Sequence, residues 1–437
     1  MSRKAFKITL VGLGYVGLPS ALALHGCGHT IHGIDVSSQV IDSLKQGKSH
    51  LKDQTTNYEI PIDSDRWSLS LVYDEKITES DIVIVTVPTP IKDTNEPDIS
   101  FVESAFDQIM PLVQKKSEKI LVLESTVYPG VTRRVVNNAA NKANLEEGID
   151  YHIAYCPERI DPGVSNRHIT DITRVIGCGN IATAEKLVDI YSDISEEAIH
   201  CGSLEVSEAA KLIENVQRDV DIALANEMAI VLSGMGLDSE EVFSAAETKW
   251  NFHRHKPGIG VGGHCIAVDP YYYLDIFGLQ NKLKTSLVTI SRGNNNLMPE
   301  ISAKLLVRDL ELKQGDTVLL LGYAYKQNLG DSRNTPVRQL TQQLQNSGIK
   351  CEIFDPLCNP NLKNTIWHVD YSTLRSDYNA IVVSTPHDIF DLSPEALEMF
   401  VRDKKIFDGR RAINPNLYIG NGWRYSSVGY DGQLQVD

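Results

Sequence analysis

Two regions of the chain, far apart in the sequence, repeat one hydrophobic pattern. In each, an apolar run of strand length ends in glycine, a helical stretch follows, a second apolar run ends in aspartate, and a third apolar run comes later. The runs occupy residues 7–17, 30–35 and 81–90 in the first region and residues 316–322, 350–356 and 379–386 in the second. Apolar strands that alternate with helices are typical of parallel sheets covered on both faces. The pattern predicts an α/β protein with two doubly wound units, one near each end of the chain.

A stretch between these units has the periodicity of one long helix. Residues 205–235 contain no proline and a single glycine, and their apolar residues recur at helical spacing. Such a helix would be about 45 Å long. Ser203 or Ser207 could cap its start, and Gly234 and Gly236 could end it. We expect a spine that also offers a dimer surface, although two shorter helices with a bend fit the pattern equally well.

The first apolar run leads into a glycine motif that favours dinucleotide binding. Gly12-x-Gly14-x-x-Gly17 follows a strand and opens a helix, and Asp35 ends the next strand. The glycines permit a tight turn, close approach of backbone to a pyrophosphate, and packing of the helix on the sheet. The helix N-terminus offers N–H groups to the phosphates. Asp35 would accept hydrogen bonds from ribose hydroxyls and repel a 2′-phosphate, which favours NAD over NADP; capping of the next helix is its alternative role.

Composition and charge exclude several classes of function. The chain has 437 residues, of which 42% are hydrophobic and 23% charged, and its formal net charge is −15. The length suits two or three globular domains, and the negative charge argues against nucleic acid and anionic membranes as partners. Seven cysteines, without a C-x-x-C pair, indicate reduced thiols in a cytoplasmic protein and no metal site.

Cys265 stands out from the other cysteines because of the residues before it. Four glycines crowd into residues 258–263, directly ahead of Cys265, and Asp269 follows four residues later. A glycine-rich loop lets backbone approach a ligand closely at an entropic cost. A cysteine is in most proteins a small buried hydrophobe, but this setting makes Cys265 the candidate nucleophile.

Seven segments of the chain carry a recognisable set of motifs. They are G-L-G-Y-V-G-L-P (12–19), V-P-T-P (87–90), E-S-T-V-Y-P-G (124–130), Y-C-P-E-R-I-D-P-G (155–163), the 205–235 helix, G-V-G-G-H-C-I-A-V-D-P (260–270) and K-Q-N-L-G-D-S-R-N-T-P (326–336). In this order they resemble the UDP-glucose and UDP-N-acetylhexosamine 6-dehydrogenases. The resemblance implies oxidation of the C6 primary alcohol of a UDP-sugar to a carboxylate, with two NAD and a covalent cysteine intermediate.

The resemblance assigns the nucleophile and its helper residues. Cys265 would form first a thiohemiacetal and then a thioester with the sugar. Lys211 and Asn215 match the family's K-x-x-x-N and lie on one face of the long helix. Lys211 would stabilise the developing oxyanion, and Asn215 would orient it or a water molecule. A solvated helix lysine is the alternative for Lys211.

Three further residues receive catalytic roles from the same resemblance. Asp269 would position the lysine or a water molecule. Glu158, in C-P-E-R, would be the general base for thioester hydrolysis. Thr126, in E-S-T-V, would hold the catalytic water, with a strand-end hydroxyl bonded to backbone as its alternative.

The resemblance also implies the residues that bind each ligand. Those for the cofactor are Gly12, Gly14, Tyr15, Val16, Gly17, Asp35, Pro88, Thr89 and Thr126. Those for the substrate are Glu158, Arg159, Ile160, Lys211, Asn215, Arg254, Lys256, Gly262, Tyr325, Lys326 and Arg333. Arg254 and Lys256 belong to a short basic cluster that would contact the pyrophosphate, with a solvated charge run as the alternative. The second unit lacks a G-x-G-x-x-G motif after Gly322, so we expect it to bind UDP and not a second NAD.

Two segments favour an N-acetylhexosamine as the sugar. C-P-E-R-I-D-P-G (156–163) and G-G-H-C-I-A-V-D (262–269) resemble the N-acetylhexosamine subgroup of the family. Within it, K-W-N-F (249–252) and Q-R-D (217–219) resemble most closely the UDP-N-acetylglucosamine 6-dehydrogenases of surface-polysaccharide pathways. Arg159 could donate a hydrogen bond to the acetamido carbonyl. The gluco, galacto and manno configurations stay open, as do UDP-glucose, a two-electron dehydrogenase and a catalytically silent NAD- or UDP-sugar-binding regulator.

We expect three domains. They are an NAD-binding Rossmann domain at 1–202, a central helical domain with the dimerisation helix and the cysteine loop at 203–308, and a UDP-sugar-binding Rossmann-like domain at 309–437. The expected assembly is a homodimer or higher homo-oligomer formed through the long helix.

Overall fold

A computed structural model describes residues 5–51, 58–159, 169–276, 286–358 and 365–430. The chain divides into two compact units. Unit 1 comprises Met1–Glu214 and Tyr271–Gly278, and unit 2 comprises Asn215–Pro270 and Leu279–Asp437.

The described part of unit 1 is built on an eight-stranded sheet with the order β3-β2-β1-β4-β5-β6-β7-β8. Its strands are Lys7–Val11 (β1), Thr30–Ile34 (β2), Trp67–Ser70 (β3), Ile82–Val85 (β4), Lys119–Leu123 (β5), Tyr151–Tyr155 (β6), Arg174–Cys178 (β7) and Ala198–His200 (β8). Neighbouring strands are parallel except β6 and β7, which run antiparallel. The start of β7 therefore lies near the carboxyl ends of β5 and β6.

Helices cover both faces of this sheet. They are Gly17–Gly26 (α1), Ser38–Lys45 (α2), Lys76–Glu79 (α3), Ser100–Ile109 (α4), Val131–Ala143 (α5) and Ile181–Tyr191 (α6). One buried cluster packs α1, α2 and α6 on the sheet, and a second packs α4 and α5 on the opposite face. The prediction of a doubly wound first unit is confirmed, and the all-apolar strands follow from burial on both sides.

One uninterrupted helix, Leu204–Gly234 (α7), accounts for the long periodic stretch. Ser203 Oγ accepts the Val206 N–H at 3.4 Å, so Ser203 provides the cap. At the other end Gly236 has φ +76°, and the Leu237 N–H reaches the Leu232 carbonyl at 3.0 Å, which is a Schellman ending. The division between the two units falls within this helix, after residue 214.

Unit 2 contains a six-stranded parallel sheet with the order β11-β10-β9-β12-β13-β14 in its described residues. Its strands are Thr317–Leu321 (β9), Lys350–Phe354 (β10), Ile366–His368 (β11), Ala380–Val383 (β12), Lys405–Asp408 (β13) and Arg424–Ser427 (β14). The remaining helices are Ser239–Glu247 (α8), Asp269–Asp275 (α9), Leu287–Asp309 (α10), Pro336–Asn346 (α11), Pro394–Glu398 (α12) and Pro415–Gly420 (α13). Buried clusters lie on both faces of the sheet, so the second predicted doubly wound unit is confirmed as well.

Candidate active site

The glycine motif of unit 1 forms a tight turn between β1 and α1. Gly12 has φ +93°, and a Cβ added there would lie 2.9 Å from the Thr86 carbonyl oxygen. A Cβ at Gly17 would collide with the Gly12 carbonyl oxygen and with the Thr86 side chain. A Cβ at Gly14 would meet nothing within 4 Å. The first and third glycines are therefore required for packing, and the second leaves open backbone that a pyrophosphate can approach.

The predicted cofactor residues all follow carboxyl ends of strands in this sheet. Gly12, Gly14, Tyr15, Val16 and Gly17 follow β1, Asp35 follows β2, Pro88 and Thr89 follow β4, and Thr126 follows β5. The strand order reverses between β1 and β4. Open α/β sheets bind their ligands in the crevice at such a reversal, so the residues present fit a dinucleotide.

Asp35 holds the glycine turn and the start of the next helix together. Its Oδ2 accepts the Leu13 N–H at 2.9 Å, and its Oδ1 accepts the Ser37 N–H at 2.9 Å. Ser37 in turn caps α2 through the Val40 N–H. The capping role is therefore present, and each half-buried carboxylate oxygen keeps a further lone pair for a ribose hydroxyl.

A buried cluster of charged residues lies where β5, β6 and β7 meet. The Arg174 guanidinium pairs with Glu158 Oε2 and lies 3.5 Å from Glu124 Oε1. The Tyr191 hydroxyl donates to the same Glu124 oxygen at 2.6 Å. Burial raises the pKa of Glu124 to about 7. The antiparallel direction of β7 brings its first residue, Arg174, to the edge where Glu124 and Glu158 follow their strands.

Sequence reasoning identified Glu158 but missed the rest of this cluster. Glu124 stands directly before the predicted Ser125–Thr126 segment, and Arg174 opens an otherwise apolar strand. An arginine at the first position of a buried strand needs a partner carboxylate, so Arg174 itself indicated that a buried carboxylate lies nearby.

Lys211 is a buried residue of α7. Lys211 is 7% exposed, and its Nζ donates a hydrogen bond to the Glu158 backbone carbonyl at 2.8 Å. A solvated helix lysine does not match this burial. Unit 1 thus brings Lys211 next to the backbone of Glu158.

Arg159 is held by α7 in the same unit. Its Nε and Nη2 contact the Glu214 carboxylate at 3.1 and 2.8 Å, and its Nη1 donates to the Thr173 carbonyl at 2.9 Å. These contacts use the Arg159 guanidinium, which we expected to donate to the acetamido group of the substrate. Ile160, another predicted substrate residue, lies outside the described residues.

Cys265 lies in a turn at the end of the glycine loop of unit 2. Its residue is exposed, and its backbone carbonyl accepts the Val268 and Asp269 N–H groups at 3.0 and 2.8 Å. Asp269 is 1% exposed and its Oδ2 accepts an Asn215 Nδ2–H at 2.5 Å. Three of the predicted catalytic residues are therefore joined within unit 2.

The glycines before Cys265 are required by packing against the segment that follows β9. A Cβ at Gly262 would lie 2.7 Å from Tyr325 Cβ, and a Cβ at Gly263 would lie 2.6 Å from the Tyr325 ring. The Gly263 N–H donates to the Arg333 carbonyl at 3.1 Å, and Asn334 Nδ2 donates to the Gly263 carbonyl at 3.1 Å. The glycine loop before Cys265 and the 326–336 motif are therefore adjacent, and the glycines of the loop pack on Tyr325.

A buried polar network fixes the start of the same loop. Asn226 Oδ1 accepts the Gly258 N–H at 2.9 Å, and Asn226 Nδ2 donates to Asn295 Oδ1 at 3.0 Å. Asn295 Nδ2 donates to Asp219 Oδ1 at 2.8 Å, and Asp219 also pairs with Arg292. Because these side chains are almost fully buried and linked to one another, they hold the start of the loop in one position.

A cavity of about 600 Å³ opens at the carboxyl edge of the second sheet. It is lined by Lys256, Pro257, Tyr325, Lys326, Gln327, Thr385, Pro386, His387, Asp388, Phe390, Leu392, Arg410 and Ala412. Lys256 and Pro257 come from the segment before the glycine loop, and the other lining residues follow β9, β12 and β13. The strand order reverses between β9 and β12. Three of the predicted substrate residues, Lys256, Tyr325 and Lys326, therefore line a ligand-sized cleft at a switch point.

The other predicted cations have protein partners. Arg254 is ion-paired with Glu240 and Glu247 of α8, and its side chain is 16% exposed. The Arg333 guanidinium pairs with Asp331. Arg410, which sequence reasoning missed, lines the cavity and donates to the Gly260 carbonyl at 3.1 Å.

Comparison with known proteins gives matches along most of the chain. Models of the UDP-glucose/GDP-mannose dehydrogenase family match it in three parts: the NAD binding domain at residues 6–195, the central domain at 205–296 and the UDP binding domain at 319–415. The UDP-N-acetyl-D-glucosamine 6-dehydrogenase of Salmonella typhi is 34% identical over 417 residues, covering 94% of this chain and 96% of the relative.

Two further comparisons concern proteins of Pyrococcus horikoshii. Its UDP-N-acetyl-D-mannosamine dehydrogenase is 31% identical over 413 residues, covering 93% of this chain and 96% of the relative. A solved structure of UDP-D-ManNAc dehydrogenase from the same organism has a TM-score of 0.85 and 29% identity, covering 97% of this chain and 99% of that chain. The match at residues 6–195 confirms the predicted NAD as cofactor. Within the described ranges, no helix combines the length and apolarity needed to span a membrane.

Proposed function

The chain belongs to the UDP-glucose/GDP-mannose dehydrogenase family, and we propose that it is an NAD-dependent UDP-N-acetylglucosamine 6-dehydrogenase. It oxidises the C6 primary alcohol of the sugar to a carboxylate. The observation that carries the proposal is the exposed Cys265 on a turn whose Asp269 is bonded to Asn215. NAD, when bound, supplies the acceptor for each hydride, and the glycine turn with Asp35 is the part of the chain that holds it.

Two oxidations of the same carbon explain why a cysteine is needed. The alcohol first loses a hydride from C6 and a proton from its oxygen, which gives an aldehyde. The Cys265 sulfur adds to the aldehyde carbon, the carbonyl oxygen takes up the thiol proton, and a thiohemiacetal forms. Loss of a second hydride and a second proton gives a thioester. The reactive aldehyde is therefore retained on the protein between the two steps.

Hydrolysis completes the reaction and restores the thiol. A water oxygen adds to the thioester carbon while Glu158 takes the proton from that water. The C–S bond then breaks, the sulfur takes up the proton held by Glu158, and the carboxylic acid releases its own proton to water to give the carboxylate. Lys211 stabilises the negative oxygen that develops in this step, Asn215 orients it, Asp269 positions Asn215, and Thr126 holds the water.

The nucleotide half of the substrate is assigned to the cavity of unit 2. Lys256 and Lys326 line it, together with Arg410, and these cations suit a pyrophosphate. The absence of a glycine motif after Gly322 and the cavity beside Tyr325 support UDP binding there.

N-Acetylglucosamine is preferred over other sugars because of the relatives and of two sequence segments. The Salmonella typhi relative named for this sugar is 34% identical. The second candidate substrate is UDP-N-acetylmannosamine, because the Pyrococcus horikoshii relative named for it is 31% identical. In this arrangement Glu214 and the Thr173 carbonyl hold the Arg159 guanidinium, so we expect Arg159 to order the segment beside Glu158.

An NADH assay over four nucleotide sugars tests the proposal. The sugars are UDP-N-acetylglucosamine, UDP-N-acetylmannosamine, UDP-N-acetylgalactosamine and UDP-glucose. We expect the highest kcat/KM with the first and two NADH per sugar oxidised. A higher kcat/KM with the manno sugar would transfer the assignment to that substrate, and one NADH per sugar would contradict the thioester route.

Replacement of the nucleophile separates the rival functions. Cys265→Ala should abolish formation of the carboxylate, because the aldehyde can no longer be captured. Full activity without the sulfur would indicate a two-electron dehydrogenase. Failure of the wild-type protein to form NADH with any of the four sugars would favour a silent binding protein. The matched control is Cys351→Ala, because Cys351 is a buried thiol of β10.

We also propose that the functional form is a homodimer built on the long helix. Within unit 2, α7 exposes Leu224, Met228 and Val231 at helical spacing along one stripe, and Met235, directly after the helix, is exposed as well. A self-complementary apolar stripe is typical of a two-fold interface. Val231→Glu should convert a dimer into a monomer in light scattering, whereas a wild-type monomer would contradict the proposal.

A further inference from the structure

We propose that Glu124 and Arg174 are positioning residues for Glu158, and that the charge on Glu124 controls how strongly Glu158 draws a proton from the hydrolytic water. The inference rests on the proposed function, because the role of Glu158 does. Neither Glu124 nor Arg174 touches the reacting atoms in this scheme. Both act through the Glu158 carboxylate.

The geometry places one cation between two carboxylates. Arg174 pairs with Glu158 Oε2 through one terminal nitrogen, and its other terminal nitrogen lies 3.5 Å from Glu124 Oε1. The Arg159 N–H donates to Glu158 Oε1 at 2.7 Å, so both oxygens of Glu158 are held. The orientation of Glu158 is therefore set by Arg174 from inside the protein.

The cluster is almost completely buried. The Arg174 and Glu124 side chains have no exposed area, and the Glu158 side chain has 4%. Charges interact strongly under such burial, because little solvent screens them. A change of charge at Glu124 is therefore felt at Glu158 through the arginine that they share.

Glu124 is the member of the cluster that changes charge near neutral pH. Its Oε2 is buried without a hydrogen-bond donor, and burial raises the pKa of Glu124 to about 7. The groups that face it are Arg174 on β7, Glu158 after β6, Cys156 after β6 and Tyr191 on α6. Burial also raises the pKa of Cys156 and of Tyr191, so both stay neutral. Arg174 therefore faces one ionised carboxylate when Glu124 is protonated and two when Glu124 is ionised.

The sign of the effect follows from this charge balance. Below the pKa of Glu124, the neutral acid leaves the whole Arg174 charge to Glu158, which attracts a proton less strongly. Above that pKa, ionised Glu124 competes for Arg174, and Glu158 attracts the proton of the water more strongly. Thioester hydrolysis should therefore accelerate as pH rises through about 7.

The test measures hydrolysis separately from the first oxidation. Wild-type enzyme with NAD and UDP-N-acetylglucosamine is quenched at successive times, and the Cys265 thioester is followed by intact-protein mass spectrometry over a range of pH. In the wild type, we expect the hydrolysis rate to rise across about pH 7. In Glu124→Gln, which keeps the shape without the charge, this rise should vanish, and hydrolysis on the alkaline side should be about tenfold slower. The first NADH should form at the wild-type rate.

A second variant keeps the inference testable if Glu124→Gln does not fold. Tyr191→Phe removes the hydroxyl that lowers the pKa of Glu124, so the rise in hydrolysis should move to higher pH. The matched control is Glu352→Gln, another buried carboxylate that pairs with an arginine and a tyrosine in unit 2. It should leave the pH at which the rise occurs unchanged.

The outcomes separate the role of Glu124 from the thioester route itself. A hydrolysis profile that is the same in wild type, Glu124→Gln and Tyr191→Phe would overturn this inference while leaving the thioester route intact. A wild-type enzyme that forms no thioester and gives one NADH per sugar would overturn the proposed function, and this inference with it.

Discussion

The two sheets of this protein close their central turns in the same way. The Gly12 N–H reaches the Ile34 carbonyl at 2.8 Å in unit 1, and the Gly322 N–H reaches the Phe354 carbonyl at 2.8 Å in unit 2. A hydroxyl from the neighbouring strand then satisfies the glycine carbonyl. Thr86 Oγ1 donates to Gly12 O at 2.7 Å, and the corresponding Ser384 Oγ donates to Gly322 O at 2.6 Å.

The aspartates after the second strand of each unit show where the likeness stops. Asp35 accepts one backbone N–H on each oxygen and is half-buried. Asp355 is fully buried and accepts four backbone N–H groups, with His387 Nε2 3.3 Å from its Oδ2. Asp35 therefore keeps lone pairs that a ligand can reach, whereas the lone pairs of the buried Asp355 are used by backbone N–H groups of the protein itself.

The path from the turn to the next helix differs as well. In unit 1, α1 begins at Gly17, directly after the glycine turn, so its N-terminus faces the crevice. In unit 2, residues 323–335 separate Gly322 from α11, and this segment carries Lys326 and Arg333. The comparison teaches that the sheet supplies only the switch point. The connection that crosses it decides whether backbone N–H groups or side-chain cations are offered to a ligand there.

The largest effect should come from blocking the glycine turn of unit 1. Gly17→Val would drive a side chain into the Gly12 carbonyl and Thr86, so NAD binding should fall by at least a hundredfold. Isothermal titration with NAD and, separately, with UDP measures both sites. UDP binding should persist; loss of both together would contradict the separate assignment. Gly26→Ala is the matched control, because a Cβ there meets nothing within 4 Å.

An intermediate effect should come from removing a cation of unit 2. Lys326→Ala should raise the KM for the UDP-sugar about 10- to 100-fold, because a charge-assisted contact contributes about 1.5–3 kcal/mol. The KM for NAD should stay at the wild-type value. Steady-state kinetics with each ligand varied in turn provides the measurement. The control is Lys304→Ala, because Lys304 is an exposed lysine of α10. An equal change in the KM for NAD and the KM for the UDP-sugar would contradict the assignment of the two ligands to separate units.

The smallest effects should be equal in the two units. Thr86→Val and Ser384→Ala each remove the hydroxyl that satisfies a turn carbonyl. Each should lower the free energy of unfolding by about 1–2 kcal/mol, because a buried acceptor is left without a donor. Chemical denaturation followed by fluorescence measures the loss. A cost in one unit and none in the other would show that the likeness between the turns is only geometric.

Local features of the chain made much of this architecture predictable. The sequence predicted the apolar strand runs, the glycine turn at Gly12 and Gly17, and the helical stretch after Ser203. Whether that stretch is one helix or two was left open, and the structure shows one. Each of these depends on backbone preference or on periodic burial, which neighbouring residues encode. The seven motifs along the chain, with the one around Cys265 among them, likewise indicate the family from local sequence alone.

The tertiary structure alone decided which charged groups meet. Arg159 and Glu214 are 55 positions apart, and Tyr191 and Glu124 are 67 apart, yet each pair forms a hydrogen bond. Arg174 meets Glu158 because β7 runs against β6, a reversal that an apolar strand of five residues does not announce. The sequence by itself therefore determined the elements and the chemistry they carry. The order and direction in which strands assembled determined the partners, because pairing across a sheet depends on packing over the whole unit and not on adjacent residues.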